Sequence, residues 1–570
     1  MAHSPCLSLQ LISGGYHRTT VIAQLMMWNL KAVSFGFLVI LGTCDSITTK
    51  QAFLQQLGDI EVDISDIGDI HTAWVNNTSS GGCYFACNAL ALGFGADKVA
   101  ESNDQGAYGN KLSEFWSAQQ SNTTPACLFL PVQSKEVSAA ILLSRLTQCP
   151  FAVKSGGHAA FKGASNVENG LTIDLARLNQ VNLSQSGDIV SIGTGNTWND
   201  VYTALEPYNR IAVGGRVASV GVGGLTLGGG LSFFSNKYGF ACDNIANYEV
   251  VTASGEILNA NETSHPNLYW ALRGGGNNFG VVTRLDAYAY PQGQMWGGNL
   301  VFSISANTSL IQNLVTFGRG RNGTFEDPNA AVILAFAYDT TSGSWLAVTS
   351  LENAVAQPNG SHPAVFDGFF DIPDILADST ENNSLSNITL DLDVVSPYGY
   401  RDTYWQITLL LDERIMSAVL EIWYEETEVL VSLLGSETQV PSFDFQVITE
   451  PQLEHMHRAG GNALGLDYSG PLVSAHWTYM WDDASKDSAI FRAYQRVLVR
   501  AKAAGELLGL NHRYIYMNYA SQFQDPISGY GPESKARLLE VSKTYDPEGV
   551  FQDLQPGYFK LDKGPPEVAP

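Results

Sequence analysis

The chain has 570 residues, 45% of them hydrophobic, and a formal net charge of −25. This length predicts roughly two to four structural units, and the apolar content argues against global disorder. The excess of 56 acidic over 31 basic residues disfavours nucleic acid and anionic membranes as partners, because phosphate contacts need clustered Lys and Arg.

Residues 1–44 are predicted to be an extension followed by a secretory signal peptide. Lys31 precedes the apolar stretch AVSFGFLVILGTC, which is too short to span a bilayer and is followed by Asp45. Because this stretch lies well inside the chain, Met26 or Met27 would make a better start. A buried helix or a membrane anchor is the alternative. With a cleaved signal, we expect a secreted protein without membrane contact.

Glycosylation signals are spread along the chain. One N-x-S/T sequon is common by chance, but many in one chain are typical of a secreted glycoprotein. They lie at Asn76, Asn77, Asn122, Asn182, Asn261, Asn307, Asn322, Asn359, Asn382 and Asn387.

An odd number of cysteines remains after the signal, so at least one thiol is free or paired elsewhere. Cys83 and Cys87 are one helical turn apart and could form a disulfide, although the sequence does not assign connectivity. The others are Cys127, Cys149 and Cys242. None of these spacings fits a zinc motif.

The first part of the chain has mixed patterns. Residues 45–120 are predicted to be helical and mixed, forming the N-terminal part of the next domain. From 121 to 293, strands (FAVK, GLTIDL, DIVSIG) alternate with helices, one starting near Ser134 with Ser134 as its cap and one capped by Thr197. A hairpin is predicted with its turn at Gly255. Together these patterns predict an α+β domain.

The later part of the chain has a different pattern. Between 294 and 500, strand-like runs (AAVILAFAYD, YWQITLLLD, SAHWTYMWD) alternate with helices such as DSAIFRAYQRVLVRAKAAGELLG. This predicts a substrate domain with an antiparallel sheet covered by helices. The segment 501–570 is predicted to return to the first domain as short strands with Pro-Gly turns.

Three glycine-rich segments follow strand patterns: KSGGH (Lys154–His158), VGVGGLTLGGG (Val220–Gly230) and RGGGNNFG (Arg273–Gly280). Glycine lets the main chain approach a ligand closely, and successive N–H groups in such loops bind anions. Each segment alone fits an ordinary turn, but together they favour a dinucleotide. The G-x-G-x-x-G fingerprint is missing, since Thr226 replaces its third glycine, and no Walker motif occurs.

Three long motifs, which include the glycine-rich segments, resemble those of one known family. PFAVKSGGHAAFKGASN, GGRVASVGVGGLTLGGGLSFFSNKYGFACDNI and LYWALRGGGNNFGVVTRL are similar to the PCMH-type FAD-binding domain of the vanillyl-alcohol oxidase superfamily. The tail YMNYASQFQDPISGYG…YDPEGVFQDLQPGYFKL is similar to berberine-bridge-enzyme-like members of fungal type. The resemblance implies a two-subdomain FAD-binding domain joined to a substrate domain.

The resemblance also implies how FAD is held. His158, after the paired glycines, corresponds to the histidine that bonds the flavin 8α-methyl in the family. A second bond is not expected, because Val217 replaces the cysteine that makes it in some relatives. The implied cofactor-binding residues are Lys154, Ser155, Gly156, Gly157, His158, Val220, Gly221, Gly223, Gly224, Leu225, Gly228, Gly229, Gly230, Asn244, Gly280, Val281, Val282, Asn518 and Tyr519.

The resemblance further implies redox chemistry with O2. A small β-branched residue before GVGG, here Val220, accompanies oxygen reactivity in relatives, although a core valine explains the residue equally well. The expected reaction transfers hydride from the substrate to flavin and then reduces O2 to H2O2, while a protein base removes a proton.

Several residues are candidates for the base. Tyr519 lies in a family motif beside the flavin, while Tyr398, Tyr479 and His476 lie in strand-like or adjoining runs that could equally belong to the core. A tyrosine needs a cationic neighbour to act as a base, because its ordinary pKa is about 10. The pair of histidines in EHMH lacks further ligands, so no metal site is expected.

We therefore expect a secreted FAD-dependent oxidase of an alcohol, amine or phenolic metabolite, in fungal secondary metabolism. A carbohydrate oxidase of the same fold is the nearest alternative, since aromatic residues suit sugar stacking. A flavin-binding glycoprotein without turnover, and a flavoprotein that directs cyclisation after oxidation, are also compatible with the sequence.

Overall fold

The computed structural model describes residues 81–320, 325–339, 343–358, 360–434, 440–466 and 470–570. The predicted signal segment and the sequons at Asn76, Asn77, Asn322 and Asn359 lie outside these residues. The described strands form three sheets, accompanied by helices throughout. The predicted α+β class is confirmed.

The first sheet is small and mostly parallel. Its order is β1-β2-β4-β3, in which β2, β4 and β3 run parallel and β1 pairs antiparallel with β2. Its strands are β1 (Val99–Glu101), β2 (Cys127–Phe129), β3 (Phe151–Lys154) and β4 (Leu171–Asp174), and the helices around it are α1 (Gly82–Phe94), α2 (Gln105–Ser113), α3 (Ala118–Ser121) and α4 (Ser134–Thr147).

The start of α4 corrects one detail. Ser134 is the first helical residue rather than the cap, and the N-cap position belongs to Gln133, which makes no side-chain capping bond. The helix start was thus predicted correctly from the pattern. The cap was wrong by one residue, because Gln133 is the residue that still has extended backbone angles.

Two disulfides attach α1 to its neighbours: Cys83–Cys149 and Cys87–Cys127, with Cα–Cα distances of 4.8 and 6.1 Å. The possible Cys83–Cys87 bridge was therefore wrong. Residues one turn apart share a helix face, and here each thiol on that face reaches a different element. Cys242 is buried and free, so the prediction of an unpaired thiol is confirmed.

The second sheet is antiparallel and is centred on a long strand. Its order is β5-β6-β10-β8-β9, and β7 pairs with β10. Its strands are β5 (Val181–Leu183), β6 (Ile189–Gly193), β7 (Arg210–Ala212), β8 (Ile245–Val251), β9 (Ile257–Asn261) and β10 (Val281–Pro291), with helices α5 (Trp198–Leu205), α6 (Val222–Leu227), α7 (Ser235–Tyr238) and α8 (Pro266–Leu272).

Two local predictions in this region are confirmed. Thr197 caps α5 in a capping box with Asp200, which satisfies N–H groups that the first helical turn leaves free. The β8–β9 hairpin turns at Gly255, whose φ is +81°, a conformation that favours glycine.

The third sheet is the largest and is antiparallel throughout the described residues. Its order is β14-β11-β13-β12-β17-β18-β16-β19, and β15 pairs with β11. Its strands are β11 (Met295–Ser303), β12 (Ala330–Asp339), β13 (Ser344–Asn353), β14 (Ala377–Asp378), β15 (Glu381–Asn383), β16 (Arg401–Leu410), β17 (Val440–Ile448), β18 (Leu472–Trp481) and β19 (Asn511–His512).

Helices cover one face of the third sheet, as predicted. Alternate residues such as Leu334, Phe336 and Trp477 pack into a core shared with α12 (Glu413–Leu434) and α14 (Asp487–Leu508), because successive strand side chains point to opposite faces. The helices that follow the second sheet are α9 (Asn307–Arg319), α10 (Asp367–Phe370), α11 (Leu385–Asp393), α12 (Glu413–Leu434), α13 (Glu450–His455) and α14 (Asp487–Leu508).

The other face of this sheet contacts the first two-sheet region. The Gln119 side chain, in α3, donates to the Asp402 carbonyl at 2.7 Å and accepts from the Asp402 N–H at 3.1 Å. Asn236 Nδ2 donates to the Ala330 carbonyl at 2.6 Å. These contacts join the third sheet to the region of the first two sheets.

The tail differs from its prediction. Beyond β19 the described chain holds no further strand; it forms a 3₁₀ turn at Met517–Tyr519 and helices α15 (Pro526–Gly529) and α16 (Pro532–Tyr545). Proline at the start and the helix formers of KARLLEVSK explain α16. The tail contacts the second sheet region, where Asn278 Nδ2 donates to the Phe559 carbonyl at 3.0 Å. Among the described residues, no helix is long and apolar enough to cross a bilayer.

Candidate functional site

His158 lies just beyond the end of β3 and faces an aromatic wall. Its ring stacks on Trp116 with centroids 4.3 Å apart and planes 11° from parallel. Nε2 is buried and has no hydrogen-bond partner. Burial lowers the pKa of His158 to about 4, so the ring is neutral at physiological pH. A neutral, unpartnered ring nitrogen can act as a nucleophile.

The first two glycine segments touch each other beside His158. A Cβ on Gly156 would lie 2.4 Å from the Gly221 nitrogen, and one on Gly221 would lie 2.2 Å from the Gly156 nitrogen. Ser155 Oγ donates to the Thr194 carbonyl at 2.6 Å and accepts from the Gly223 N–H at 3.1 Å. Only glycine fits this approach, which joins the first sheet to the second.

The loop leaves main-chain donors available. Within the described residues, the N–H groups of Gly156, Gly157 and His158 donate no hydrogen bond. A Cβ on Gly224 would meet no atom within 4 Å, so open space adjoins the second glycine segment. Successive free N–H groups beside open space suit the pyrophosphate of a dinucleotide.

A residue of the tail, Asn518, also packs against the second glycine segment. Asn518 Nδ2 donates to the Leu225 carbonyl at 3.0 Å, and a Cβ on Gly228 would lie 1.9 Å from Asn518 Oδ1. Gly229 and Gly230 then turn the chain with φ of +112° and +87°. The predicted residues Val220 to Gly230 and Asn518 are thus brought together.

Other predicted cofactor residues have partners of their own. Lys154 Nζ pairs with the fully buried Asp174 at 3.2 Å. Asn244 Nδ2 donates to the Tyr238 and Phe240 carbonyls. Val281 and Val282, directly after Gly280, begin β10 and pair with Val251 and Val250 of β8.

A polar cluster lies on the face of the third sheet that is turned away from its helices. His476 Nε2 is 3.1 Å from Asp444 Oδ2, while its buried Nδ1 has no partner. The His476 ring stacks on Tyr519 at 4.2 Å. Tyr404, from β16, lies parallel to Tyr519 at 6.2 Å. The predicted residues His476 and Tyr519 are therefore neighbours.

Tyr519 has a cationic neighbour. Arg216 Nη2 donates to Tyr519 Oη at 2.5 Å and to Gln446 Oε1 at 2.8 Å. Arg216 comes from GGRVASV, which leads into the second glycine segment in the sequence, and Gln446 lies on β17. Sequence reasoning missed both residues, together with Asp444, Tyr404 and Trp116. The only available signal was an arginine directly after paired glycines.

Trp116 connects the two halves of the site. Its ring stacks on His158 and lies 6.0 Å from the Tyr404 ring. Trp116 Nε1 donates to the Ser396 carbonyl at 3.0 Å, so the loop after α11 holds it in place. A row of aromatic rings therefore runs from His158 to Tyr519.

Of the remaining candidates, Tyr479 lies apart from this row, whereas Tyr398 flanks it, because the Gly399 N–H donates to the Trp116 carbonyl at 2.9 Å. Tyr479 is fully buried in the helix-side core, against Tyr494, and burial raises its pKa. Tyr398 lies in the loop after α11, 42% exposed, and burial of its hydroxyl raises its pKa. His455 is half-buried and His457 exposed. The described residues contain no cluster able to hold a metal ion.

Comparison with known proteins identifies the family. A model for the FAD binding domain matches residues 125–261. The FAD-dependent monooxygenase tpcD of Cochliobolus heterostrophus is 35% identical over 539 residues, which cover 92% of this chain and 100% of the relative. The chain belongs to the family of this fungal FAD-dependent enzyme. It is an FAD-dependent oxidoreductase.

A second fungal relative and two solved structures are also similar to this oxidoreductase. The FAD-dependent monooxygenase sdcF of Emericella nidulans is 35% identical over 80% of this chain and 94% of its own. Two solved structures share the fold with TM-scores of 0.65: 6-hydroxy-D-nicotine oxidase from Arthrobacter nicotinovorans (20% identity, 81% of this chain, 97% of that one) and berberine bridge enzyme from Eschscholzia californica (17%, 85% and 99%).

The site of the oxidoreductase fits FAD. The free N–H groups at Gly156–His158 suit its pyrophosphate, and the orphaned Nε2 of His158 lies at the start of the aromatic row. Ser155 and Asn518 fix the two glycine segments around the open space near Gly224.

Proposed function

We propose that the protein is a secreted oxidase that carries FAD on a single bond to His158 and oxidises an alcohol, amine or phenolic metabolite. The observation that carries the proposal is the contact of Arg216 with Tyr519 at the end of the aromatic row from His158. When bound, FAD supplies acceptance of two electrons and their transfer to O2, with H2O2 as product.

Tyr519 is the proposed proton acceptor. The Arg216 guanidinium has only donors, so the Tyr519 oxygen must accept from it. The guanidinium nitrogen lies 2.5 Å from the Tyr519 oxygen, so Arg216 supplies the cationic neighbour that a tyrosine needs to act as a base. Gln446 holds the guanidinium from its other side, so the pair keeps a fixed geometry.

His476 positions Tyr519 and offers a second polar atom. Asp444 holds one ring nitrogen, which fixes the orientation of the imidazole. The ring then supports the Tyr519 ring by stacking at 4.2 Å. Nδ1, which has no partner, is available to exchange a hydrogen bond with a substrate hydroxyl or amine.

Two residues from different segments of the chain support a single covalent bond. His158 is neutral, because burial lowers its pKa to about 4, and its Nε2 is unpartnered. Val217, in the position of the second bonding residue, cannot form one. The named function of the fungal relatives, FAD-dependent monooxygenase, makes oxygen insertion the alternative outcome for the reduced O2.

Secretion is supported by the covalent structure of the described chain. Two disulfides, Cys83–Cys149 and Cys87–Cys127, are typical of oxidising compartments. Asn182 and Asn387 are exposed sequons. Enzymatic deglycosylation of the protein expressed in a fungal host should lower its mass; an unchanged mass and reduced cysteines would contradict secretion.

The decisive experiment replaces Tyr519 with phenylalanine. Purified protein is screened for H2O2 release with alcohols, phenols, amines and sugars, which also separates the carbohydrate oxidase alternative. With a reactive substrate, Tyr519→Phe should slow anaerobic flavin reduction by at least about 100-fold while the FAD content stays unchanged.

The control is Tyr288→Phe, which removes the hydroxyl of an exposed tyrosine on β10. It should reduce flavin at the wild-type rate. Full activity of Tyr519→Phe would refute the role of Tyr519. Transfer of an ¹⁸O atom from O2 to the product, with no peroxide, would refute the oxidase and favour a monooxygenase. A protein that holds FAD but turns over nothing would favour the binding-protein alternative.

A further inference from the structure

Trp116 is a buried residue whose indole covers one face of the His158 ring. It is 2% exposed, and its ring lies 4.3 Å from the imidazole with the planes 11° from parallel. Within the described part of the chain, it is the one aromatic ring that stacks on His158. Nε2 of His158 is buried without a hydrogen-bond partner, so no bond at that nitrogen fixes the ring. The orientation of the imidazole therefore depends on its packing against Trp116.

Three hydrogen bonds hold Trp116 in turn. Its N–H donates to the Gly157 carbonyl at 3.1 Å, and its carbonyl accepts from the Gly399 N–H at 2.9 Å. The indole Nε1 donates to the Ser396 carbonyl at 3.0 Å. Trp116 is thus tied on one side to the residue directly before His158 and on the other side to the loop after α11. A rotation of the indole would break the bond at Nε1.

The end of α11 is also anchored beside the second glycine segment. Asp393, the last residue of α11, accepts from the Ser219 N–H at 3.1 Å and from the Ser219 hydroxyl. A Cβ on Gly156 would lie 3.3 Å from the Ser219 carbonyl oxygen. The support of Trp116 and the two glycine segments are therefore joined to one another around the His158 loop.

The plane of the imidazole decides where its nitrogen can form a bond. The lone pair of a neutral ring nitrogen lies in the plane of the ring, so the carbon that it attacks must lie close to that plane. Stacking against a fixed indole blocks rotation of the imidazole and leaves the edge of the ring uncovered. Such pre-orientation raises the rate of a reaction within one complex, because the reacting atoms no longer have to find their alignment.

We propose that Trp116 is a positioning residue for the covalent attachment of FAD, because its ring holds the imidazole of His158 in the plane that bond formation requires. In this step a His158 nitrogen bonds to the flavin 8α-carbon, and one C–H bond of the methyl group breaks. The methyl group and the imidazole each lose one hydrogen, and the flavin ring gains two electrons and two protons. O2 then removes these as H2O2. The inference rests on the proposed function, which includes the bond to His158.

The test follows attachment after FAD is added to apoprotein from a riboflavin-deficient host. Trp116→Leu removes the flat ring, and Trp116→Phe keeps one. Attachment, measured as flavin that stays on the denatured protein, should be about 10- to 100-fold slower in Trp116→Leu and closer to the wild-type rate in Trp116→Phe. The Kd for FAD before attachment, measured by flavin fluorescence, should be unchanged in both variants, because the proposed role concerns the bond and not the binding.

The matched control is Trp296→Leu. Trp296 is also buried, at 3% exposed, and it stacks on Phe366 with centroids 5.6 Å apart. It lies on β11 in the helix-side core of the third sheet. Its replacement measures the general cost of removing a buried indole, and this variant should attach FAD at the wild-type rate.

The proposal is overturned if Trp116→Leu attaches FAD as fast as wild type, if Trp116→Phe is as slow as Trp116→Leu, or if Trp296→Leu is slowed equally. It is also overturned if Trp116→Leu no longer binds FAD, which would assign Trp116 to folding or binding. In all these cases the bond to His158 and the proposed function remain. A wild-type protein that binds FAD and never attaches it would refute the single bond itself, and this inference with it.

Discussion

Glu352 is a buried carboxyl group on which the charge of Arg216 acts, and its raised pKa gives a quantitative test through the pH dependence of stability. It lies on β13 between Gly297 and Ala331 of the adjacent strands, on the face turned away from the helices. It is 1% exposed, its Oε2 has no partner, and its Oε1 accepts a hydrogen bond from Ser350. Burial raises its pKa from 4.5 to about 8.

The sign of the pH effect follows from this shift. Between pH 4.5 and 8 the folded state holds the Glu352 proton and the unfolded state releases it, so stability falls as pH rises through this window. A shift from 4.5 to about 8, at about 1.36 kcal/mol per unit, gives an upper limit of about 5 kcal/mol.

Glu352→Gln keeps the shape of the side chain and removes the ionisation. Urea unfolding should give equal stabilities for variant and wild type near pH 4.5 to 5, and a variant that is several kcal/mol more stable at pH 9. Glu421→Gln, at an exposed position on α12, should show no such change with pH. A stability difference for Glu352→Gln that is constant across this range would refute the reasoning.

Three further predictions concern other parts of the fold. Thr197→Ala, which removes the cap of α5, should lower the free energy of unfolding by about 1 kcal/mol in urea; no change would contradict the capping role. Replacing Cys87 and Cys127 by serine should cost about 2–4 kcal/mol, whereas equal stability with and without reductant in the wild type would argue against a structural disulfide. In FAD-free protein, His158 binds fewer protons folded than unfolded between pH 4 and 6.5, because burial lowers its pKa to about 4. Stability should therefore fall by up to about 3 kcal/mol as pH drops through that window, a slope that His158→Ala should lack.

The sequence predicted those elements whose local pattern is strong. The alternation of AAVILAFAYD gives β12, and the apolar stripe of DSAIFRAYQRVLVRAKAAGELL gives α14. The tail was misread, because its Pro and Gly residues begin and end the helix α16 instead of separating strands. Disulfide pairing depends on which elements pack against α1, and the spacing of cysteines does not contain that information.

The sequence predicted one part of the site, the loop at His158 with its glycine segments, and missed most of the polar cluster around Tyr519. His158 and the glycine segments belong to continuous motifs, so the chain itself shows that they act together. Arg216, Gln446 and Tyr519 come from segments far apart in sequence, and only the register of β17 and the seating of the 3₁₀ turn at Met517–Tyr519 bring them into contact. The burial that protonates Glu352 is equally invisible in the sequence.

The central claim is that the loop ending at His158 holds FAD and bonds to it. The most direct measurement is mass spectrometry of flavin-bearing peptides after denaturation and proteolysis of the purified yellow protein. The account predicts one flavinylated peptide, which contains His158, and no flavin on that peptide in His158→Ala. Flavin released entirely on denaturation, or bonded to a peptide without His158, would contradict it.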